Sequence, residues 1–391
     1  MAQPRPVIMV FVRYYLPGYR SGGPIRTIAN LVEALGDAFD FRIVTSDRDA
    51  TDERAYGGVD VDAWNRVGKA SVWYASPAGR RLPALVRLVR DTPHDALYLN
   101  SFFDPEFTIL PLLCRRLGLF PRRPCLLAPR GEFAPSALAI KPGKKKAYLA
   151  AAAALRLHGQ VLFQASTPHE RADVLRMFPA SAPRIRVASD LPGPQAAVPA
   201  TMAEERSGPI RICFLSRITP MKNLDYAIDV LSRLSTPASL DIYGPVRDDA
   251  YWDLCRRAIA DLPPHVSAVH RGEVEHAAVP ETLARYDLFF LPTRGENYGH
   301  VILEALAAGL PVLIADTTPW RGLASTGAGW DLPLADPDAF REKIEDVSRM
   351  DRGQRLQLRD SALALARRHL EDASTIEQNR QLLHDLTGRV A

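Results

Sequence analysis

One stretch constrains this chain more than any other. It runs from Thr293 to Ala315 as Thr-Arg-Gly-Glu-Asn-Tyr-Gly-His-Val-Ile-Leu-Glu-Ala-Leu-Ala-Ala-Gly-Leu-Pro-Val-Leu-Ile-Ala. Just before it, Asp287 to Leu291 is a short apolar run of the kind that forms a buried parallel strand. Gly309 and Pro311 stop a helix, and Val312 to Ala315 begin the next strand. The helix therefore starts near Gly299. That start sets the backbone N–H groups of Tyr298, Gly299 and His300 at a helix N-terminus, where the dipole favours an anion such as phosphate. Glu296 precedes these amides, and Glu304 lies about one and a half turns into the helix at ~3.6 residues per turn. Two carboxylates bracket an anion site.

The remaining chain repeats the same alternation. Pro6–Val12 is a buried strand by composition, followed by a long loop and an amphipathic helix over about 24–35. Strand and helix patterns then alternate through 41–45, 72–75, 83–90, 96–99, 105–117 and 125–128, which predicts a doubly wound parallel sheet. A helix over 168–178 and a strand over 185–188 close a first domain, residues 1–190. The Pro/Gly/Ala-rich polar stretch 191–209 reads as a linker. A second domain over 210–370 restarts the pattern at Ile210–Leu215, and a terminal helix within 371–391 is the candidate to pack back on the first domain. At 391 residues, two domains are the default.

Several clusters carry chemistry. Arg217 and Lys222 flank a turn at the carboxyl end of the Ile210–Leu215 strand, where open α/β sheets bind ligands. A planar guanidinium and a mobile ammonium there suit phosphate, although two cations in a loop can also serve solubility alone. Gly22 and Gly23 precede Pro24 at a helix start and read either as a plain flexible turn or as a place where backbone approaches a ligand. No Gly-x-Gly-x-x-Gly follows the first strand, which disfavours a nicotinamide-dependent reductase. Lys141, Lys144, Lys145 and Lys146, with Arg130, form the strongest local basic cluster. It is either a solvated face or a docking patch for an anionic membrane surface or a pyrophosphate-linked lipid.

Composition excludes more than it selects. The net charge of +4 does not argue for nucleic acid. Four scattered cysteines, Cys114, Cys125, Cys213 and Cys255, lack metal-ligand spacing or disulfide density. No Asp-x-Asp, His-x-x-x-His or Cys/His cluster offers a metal site. With no secretory h-region and no apolar run of the ~18–20 residues a spanning helix needs, a cytoplasmic location is expected, with peripheral contact at the inner face of the membrane through the lysines.

Glu296 and Glu304, with seven residues between them and Ala-Leu-Ala-Ala-Gly-Leu-Pro-Val following, resemble the signature of family 4 glycosyltransferases, retaining enzymes of the GT-B fold. The loop Leu-Pro-Gly-Tyr-Arg-Ser-Gly-Gly-Pro from Leu16 is similar to that of polysaccharide-building members, and Arg217 with Lys222-Asn223 matches the family's Arg-x4-Lys pattern. The resemblance implies two Rossmann-like domains facing across a cleft. It implies that Glu296 holds the donor sugar's hydroxyls and Glu304 the ribose hydroxyls. It implies that Arg217 and Lys222 contact the donor diphosphate beside Asn297, Tyr298, Gly299 and His300, that Val274 frames the base, and that Gly22-Gly23 meets donor phosphates or acceptor. Glu296, Arg217 and Lys222 are the expected catalytic groups. The donor is expected to be a UDP- or GDP-linked sugar, the acceptor a glycan or lipid-linked molecule, and no other cofactor is expected. A nucleotide-sugar epimerase of the same fold and a non-catalytic nucleotide-sugar-binding regulator are the alternatives. The chain departs from the family where many members carry a His after a first-domain strand: here Leu97-Tyr-Leu-Asn-Ser-Phe-Phe-Asp104 offers Asn100 and Ser101. His94 reads as a surface residue, and His158, His169 and His270 as structural.

Overall fold

The computed structural model describes residues 4–20, 22–50, 52–193 and 208–388. It divides into two compact units: residues 1–193 with 373–391, and residues 194–372. The expected linker 191–209 lies mostly outside the described residues.

The first unit is built on an eight-stranded sheet in the order β3-β4-β2-β1-β5-β6-β7-β8. Its strands are β1 Val7–Phe11, β2 Asp40–Ser46, β3 Trp64–Val67, β4 Ala70–Ala75, β5 Ala96–Asn100, β6 Cys125–Ala128, β7 Leu162–Ala165 and β8 Ile185–Val187. All pairings are parallel except β3 with β4, an antiparallel hairpin at the edge. Central β1 pairs on both sides, Val10 opposite Ile43 and Tyr98. Because helices cover both faces, its strand reads as a continuous apolar run instead of an alternating one. Helix Ala373–Thr387 belongs to this unit, with Leu382, Leu383 and Leu386 buried in the same core as Ile8, Val10 and Leu31.

The second unit carries a wholly parallel six-stranded sheet, β11-β10-β9-β12-β13-β14. These strands are β9 Ile210–Leu215, β10 Ala238–Tyr243, β11 Val266–Gly272, β12 Leu288–Leu291, β13 Val312–Ala315 and β14 Gly329–Leu332. β12 and β13 are buried at every position, and helix His300–Ala307 between them sinks Ile302, Leu303, Ala305 and Leu306 into the core. Both units are doubly wound, as expected from the alternation.

Candidate donor site at the switch point of the second unit

Strand order places the candidate side chains. From β9 the chain winds outward through β10 and β11, then returns to lay β12 on the other side of β9. The loops after β9 and β12 therefore part at the carboxyl edge of the sheet, the switch point where open α/β sheets bind ligands. Arg217 and Lys222 lie in the first of these loops, and Glu296 to Gly299 in the second.

The two loops are stitched together. The Arg294 N–H donates to the Met221 carbonyl at 2.8 Å, and the Thr293 hydroxyl donates to the same carbonyl at 3.1 Å. Asn223 Nδ2 donates to the Pro292 carbonyl at 2.9 Å, while Arg294 Nε donates to Asn223 Oδ1, also at 2.9 Å. Asn223 holds a left-handed φ of 62°, a conformation asparagine tolerates better than most residues, and turns the chain into helix Leu224–Ser232. This bracing sets the ammonium of Lys222, only 8% exposed, against the carboxylate of Glu296 as an ion pair.

Arg217 completes the cationic side. Its neighbour Ile218 bridges to Val246, and the Arg247 N–H donates to the Ile218 carbonyl at 3.2 Å, so the loops after β9 and β10 run together. Gly244 permits this: a Cβ there would stand 2.1 Å from the Ser216 carbonyl oxygen. Arg217 keeps exposed surface, yet enough protein surrounds it for burial to lower its pKa, with Glu296 opposing and Arg247 adding to that effect. Arg217 and Lys222 thus share a neighbouring carboxylate, that of Glu296, with Arg247 near Arg217 as a like charge.

Beyond Glu296 the chain forms the expected helix start. Gly299 has φ 81°, and helix His300–Ala307 begins immediately after it. A Cβ on Gly299 would lie 2.9 Å from Ile302 Cδ1 and 3.1 Å from Trp320 Nε1. Trp320, from the loop after β13, donates its indole N–H to the Tyr298 carbonyl at 2.7 Å, and the rings of Tyr298 and His300 lie 4.6 Å apart. Glu304 sits on the first turns of the helix, its carboxylate 3.8 Å from Nδ1 of His276. His276 belongs to the loop after β11 that also carries Val274, which is half-buried against the core.

The structure therefore gathers Arg217, Lys222 and Glu296 into one cluster, with Asn297, Tyr298, Gly299, His300 and Glu304 continuing along the same segment and Val274 on the loop that reaches Glu304. Gly22 and Gly23 belong to the first unit. Gly22 has φ 63° and begins helix Gly23–Leu35, but a Cβ on it would meet no described atom within 4 Å. Glycine is favoured there by backbone conformation, not by crowding. Sequence reasoning missed His276, Arg247, Gly244 and Trp320. A glycine closing a strand and the Pro-Trp after β13 are the signals that pointed to two of them.

Two expectations need correction. Arg130 does not join the lysine cluster. It is held in the first unit by an ion pair to Asp190 at 2.5 Å and donates to the Tyr98 hydroxyl at 2.6 Å and Asn100 Oδ1 at 2.8 Å. Lys145 is also partly withdrawn, donating to the Ala137 carbonyl at 2.7 Å with its ammonium 4.8 Å from the Phe103 ring centre; Lys141, Lys144 and Lys146 are exposed. His94 is not a surface residue: it is 5% exposed, its Nδ1 lies 2.8 Å from the Thr92 carbonyl, and burial lowers its pKa. Where many family members have a histidine, Ser101 instead donates to Glu132 at 2.7 Å, and the Phe102 and Phe103 amides donate to the same carboxylate. His158 stacks on Phe102 with ring centres 4.7 Å apart, His270 lies 2.9 Å from the Gly244 carbonyl, and His169 is exposed.

Residues 202–363, most of the second unit, match the family model described as Glycosyl transferases group 1. Among curated proteins, the D-inositol 3-phosphate glycosyltransferase of Jonesia denitrificans is 32% identical over 176 residues, 41% of this chain. The chain spans 38% of the length of that relative. Among solved structures, Anabaena HepE in complex with UDP and glucose has a TM-score of 0.68 at 16% identity, covering 98% of this chain and 100% of that one. Sucrose-phosphate synthase from Thermosynechococcus elongatus has a TM-score of 0.70, also at 16% identity, with 98% and 100% covered. At these identities the likeness is one of fold, and the fold is GT-B.

Proposed function

We propose that the chain is a retaining, metal-independent glycosyltransferase that moves a sugar from a nucleotide diphosphate donor, UDP- or GDP-linked, to a glycan or lipid-linked acceptor of cell-surface synthesis. The observation that carries this is the Lys222–Glu296 pair at the β9/β12 switch point with Arg217 beside it. A leaving nucleoside diphosphate gathers negative charge, and Arg217, Lys222 and the amides before helix His300–Ala307 meet that charge as preorganised donors. Each well-aimed donor of this sort lowers a barrier by about 3–4 kcal/mol. Glu296 holds the sugar hydroxyls and so its orientation, where a displacement of about 1 Å can cost ~100-fold. Glu304 holds the ribose, and the departing phosphate takes the proton of the acceptor hydroxyl as it attacks on the same face.

A thermal-shift panel with UDP, GDP, ADP and dTDP tests the donor site. A nucleotide at ~100 times its dissociation constant adds about 2.7 kcal/mol of stability. The expected result is a response to one of them that Glu304→Ala abolishes; no response from folded protein counts against the site. Turnover of nucleotide sugar without acceptor would instead favour an epimerase, and a biological activity untouched by Glu296→Ala would favour a binding role.

Peripheral contact with an anionic membrane at Lys141, Lys144 and Lys146, with Lys145 partly withdrawn, belongs to the same proposal. Between Phe107 and His169 the chain holds ten Lys and Arg and a single acid, Glu132, which is hydrogen-bonded to Ser101 and to the amides of Phe102 and Phe103. The exposed helix Pro142–Ala154 is flanked by exposed Ile140 and Leu155, at 51% and 48%, and Arg116 Nε donates to the Leu155 carbonyl beside Leu117, 70% exposed. Basic residues near an anionic surface add about 1 kcal/mol each. Equal binding to anionic vesicles by wild type and by Lys141/Lys144/Lys146→Ser at low salt would remove this contact. No helix of the described residues is long and apolar enough to cross a membrane.

A further inference from the structure

We infer that Glu296 competes with the donor diphosphate for Lys222, so that the site holds a nucleotide sugar in preference to the bare nucleoside diphosphate left after transfer. This rests on the donor site proposed above. The ammonium of Lys222 is largely buried and already bound to the Glu296 carboxylate. The loops that carry the two residues are tied by four hydrogen bonds, from Arg294, Thr293 and Asn223 and between Arg294 and Asn223. They bring Lys222 and Glu296 together as a braced pair and not as two chance neighbours. A phosphate oxygen that takes Lys222 must therefore part it from Glu296.

What happens next depends on the ligand. A nucleotide sugar brings hydroxyl donors to the freed carboxylate, so Glu296 exchanges one partner for another. A nucleoside diphosphate has hydroxyls only on its ribose, brings to this carboxylate nothing but negative charge, and leaves Glu296 partly buried, without its ammonium and beside a like charge. Removing a carboxylate's partner in such a place is costly, because a desolvated charge is left uncompensated. The cation Arg217 attracts both ligands, and the bare diphosphate with its additional terminal charge more strongly, so it cannot favour the nucleotide sugar. Only Glu296 does, and it acts as a charge: a neutral isostere keeps hydrogen bonds to sugar hydroxyls but neither holds Lys222 as tightly nor repels a phosphate.

Glu296→Gln separates these roles, with dissociation constants of UDP, GDP and inorganic pyrophosphate and of the matching nucleotide sugars measured by calorimetry on wild type and variant. The expected result is diphosphate or pyrophosphate bound roughly tenfold more tightly by the variant, equivalent to about 1.4 kcal/mol, with the nucleotide sugar bound no better. Steady-state product inhibition should strengthen in parallel. A diphosphate bound by wild type with unchanged or weaker affinity in the variant overturns the competition and leaves the donor site standing. Binding by the variant alone supports it, and binding by neither protein overturns both. The melting transition of each variant shows that it is folded.

Discussion

The indole N–H of Trp320 donates to the carbonyl of Tyr298 at 2.7 Å, tying the loop after β13 to the turn that starts helix His300–Ala307. The bond fixes the plane of the peptide whose N–H belongs to Gly299. Trp320→Phe keeps most of the ring contact with His369 but loses this donor. A typical hydrogen bond contributes about 1 kcal/mol, so stability should fall only slightly. Nucleoside diphosphate affinity should fall about fivefold, because the same ~1 kcal/mol is then also missing from the aim of the amides. Titration calorimetry checks this, and unchanged affinity would mean that the turn holds its shape without Trp320.

Gly299 is the sharper constraint. Its φ of 81° and the 2.9 Å approach of a Cβ to Ile302 Cδ1 act together. The left-handed conformation alone costs an L-residue about 1–2 kcal/mol. Gly299→Ala should therefore lower stability by at least ~1 kcal/mol in urea unfolding and reduce transfer more than Trp320→Phe does. An alanine variant of full stability would show that the backbone can relax there.

Arg217→Ala and Lys222→Ala test the leaving-group role proposed for these two cations. Each should reduce kcat by roughly 100- to 1000-fold, the range seen when one charge-stabilising donor is removed. Lys222→Ala also leaves Glu296 without its ammonium, so part of its loss should be recovered by adding Glu296→Gln in nucleotide binding, though not in kcat. Stopped assays with radiolabelled nucleotide sugar measure both. Full activity in either single variant would remove that residue from the mechanism.

The first unit makes a pH-dependent prediction. Burial pushes His158 down to about 4 from 6.5, so the folded form resists protonation that the unfolded chain accepts. Above pH 6.5 both forms are neutral and His158 contributes no pH dependence. As pH falls from 6.5 towards 4 the unfolded state takes up the proton first, and stability drops by up to about 3 kcal/mol. His158→Phe, which keeps an aromatic ring against Phe102 and Phe178, should flatten the slope of unfolding free energy over that window. An unchanged slope would place the acid sensitivity elsewhere.

Much of this was legible because parallel strands buried on both faces write themselves as apolar runs. Ile210–Leu215, Val312–Ala315 and Cys125–Ala128 begin and end where the apolar residues do. β3, Trp-Asn-Arg-Val, was not legible: it is a partly exposed edge strand whose main support is its cross-strand partner, with the Trp64 and Trp73 rings 5.5 Å apart. β14 was hidden for a similar reason, being short, half-buried and started by Gly329 at φ 145° against Val312. His94 is misread because a histidine in a loop carries no sign of whether the rest of the fold will cover it. In the site, the helix start at Gly299 and the carboxylates around it followed from local spacing. The pairing of Lys222 with Glu296 did not, since the residues are 74 positions apart and meet only because β9 and β12 are neighbours in the sheet.

Helix Ala373–Thr387 gives the first unit a discontinuous sequence. During synthesis, strands β1 to β8 emerge long before Leu382, Leu383 and Leu386, which fill the same core as Ile8 and Leu31. The unit translated first is thus completed last, after the second unit has had time to fold. Until then the apolar surface that these leucines cover, beside helix Gly23–Leu35 and Phe39, stays open, and the chain depends through most of its translation on whatever keeps nascent surfaces from sticking to one another.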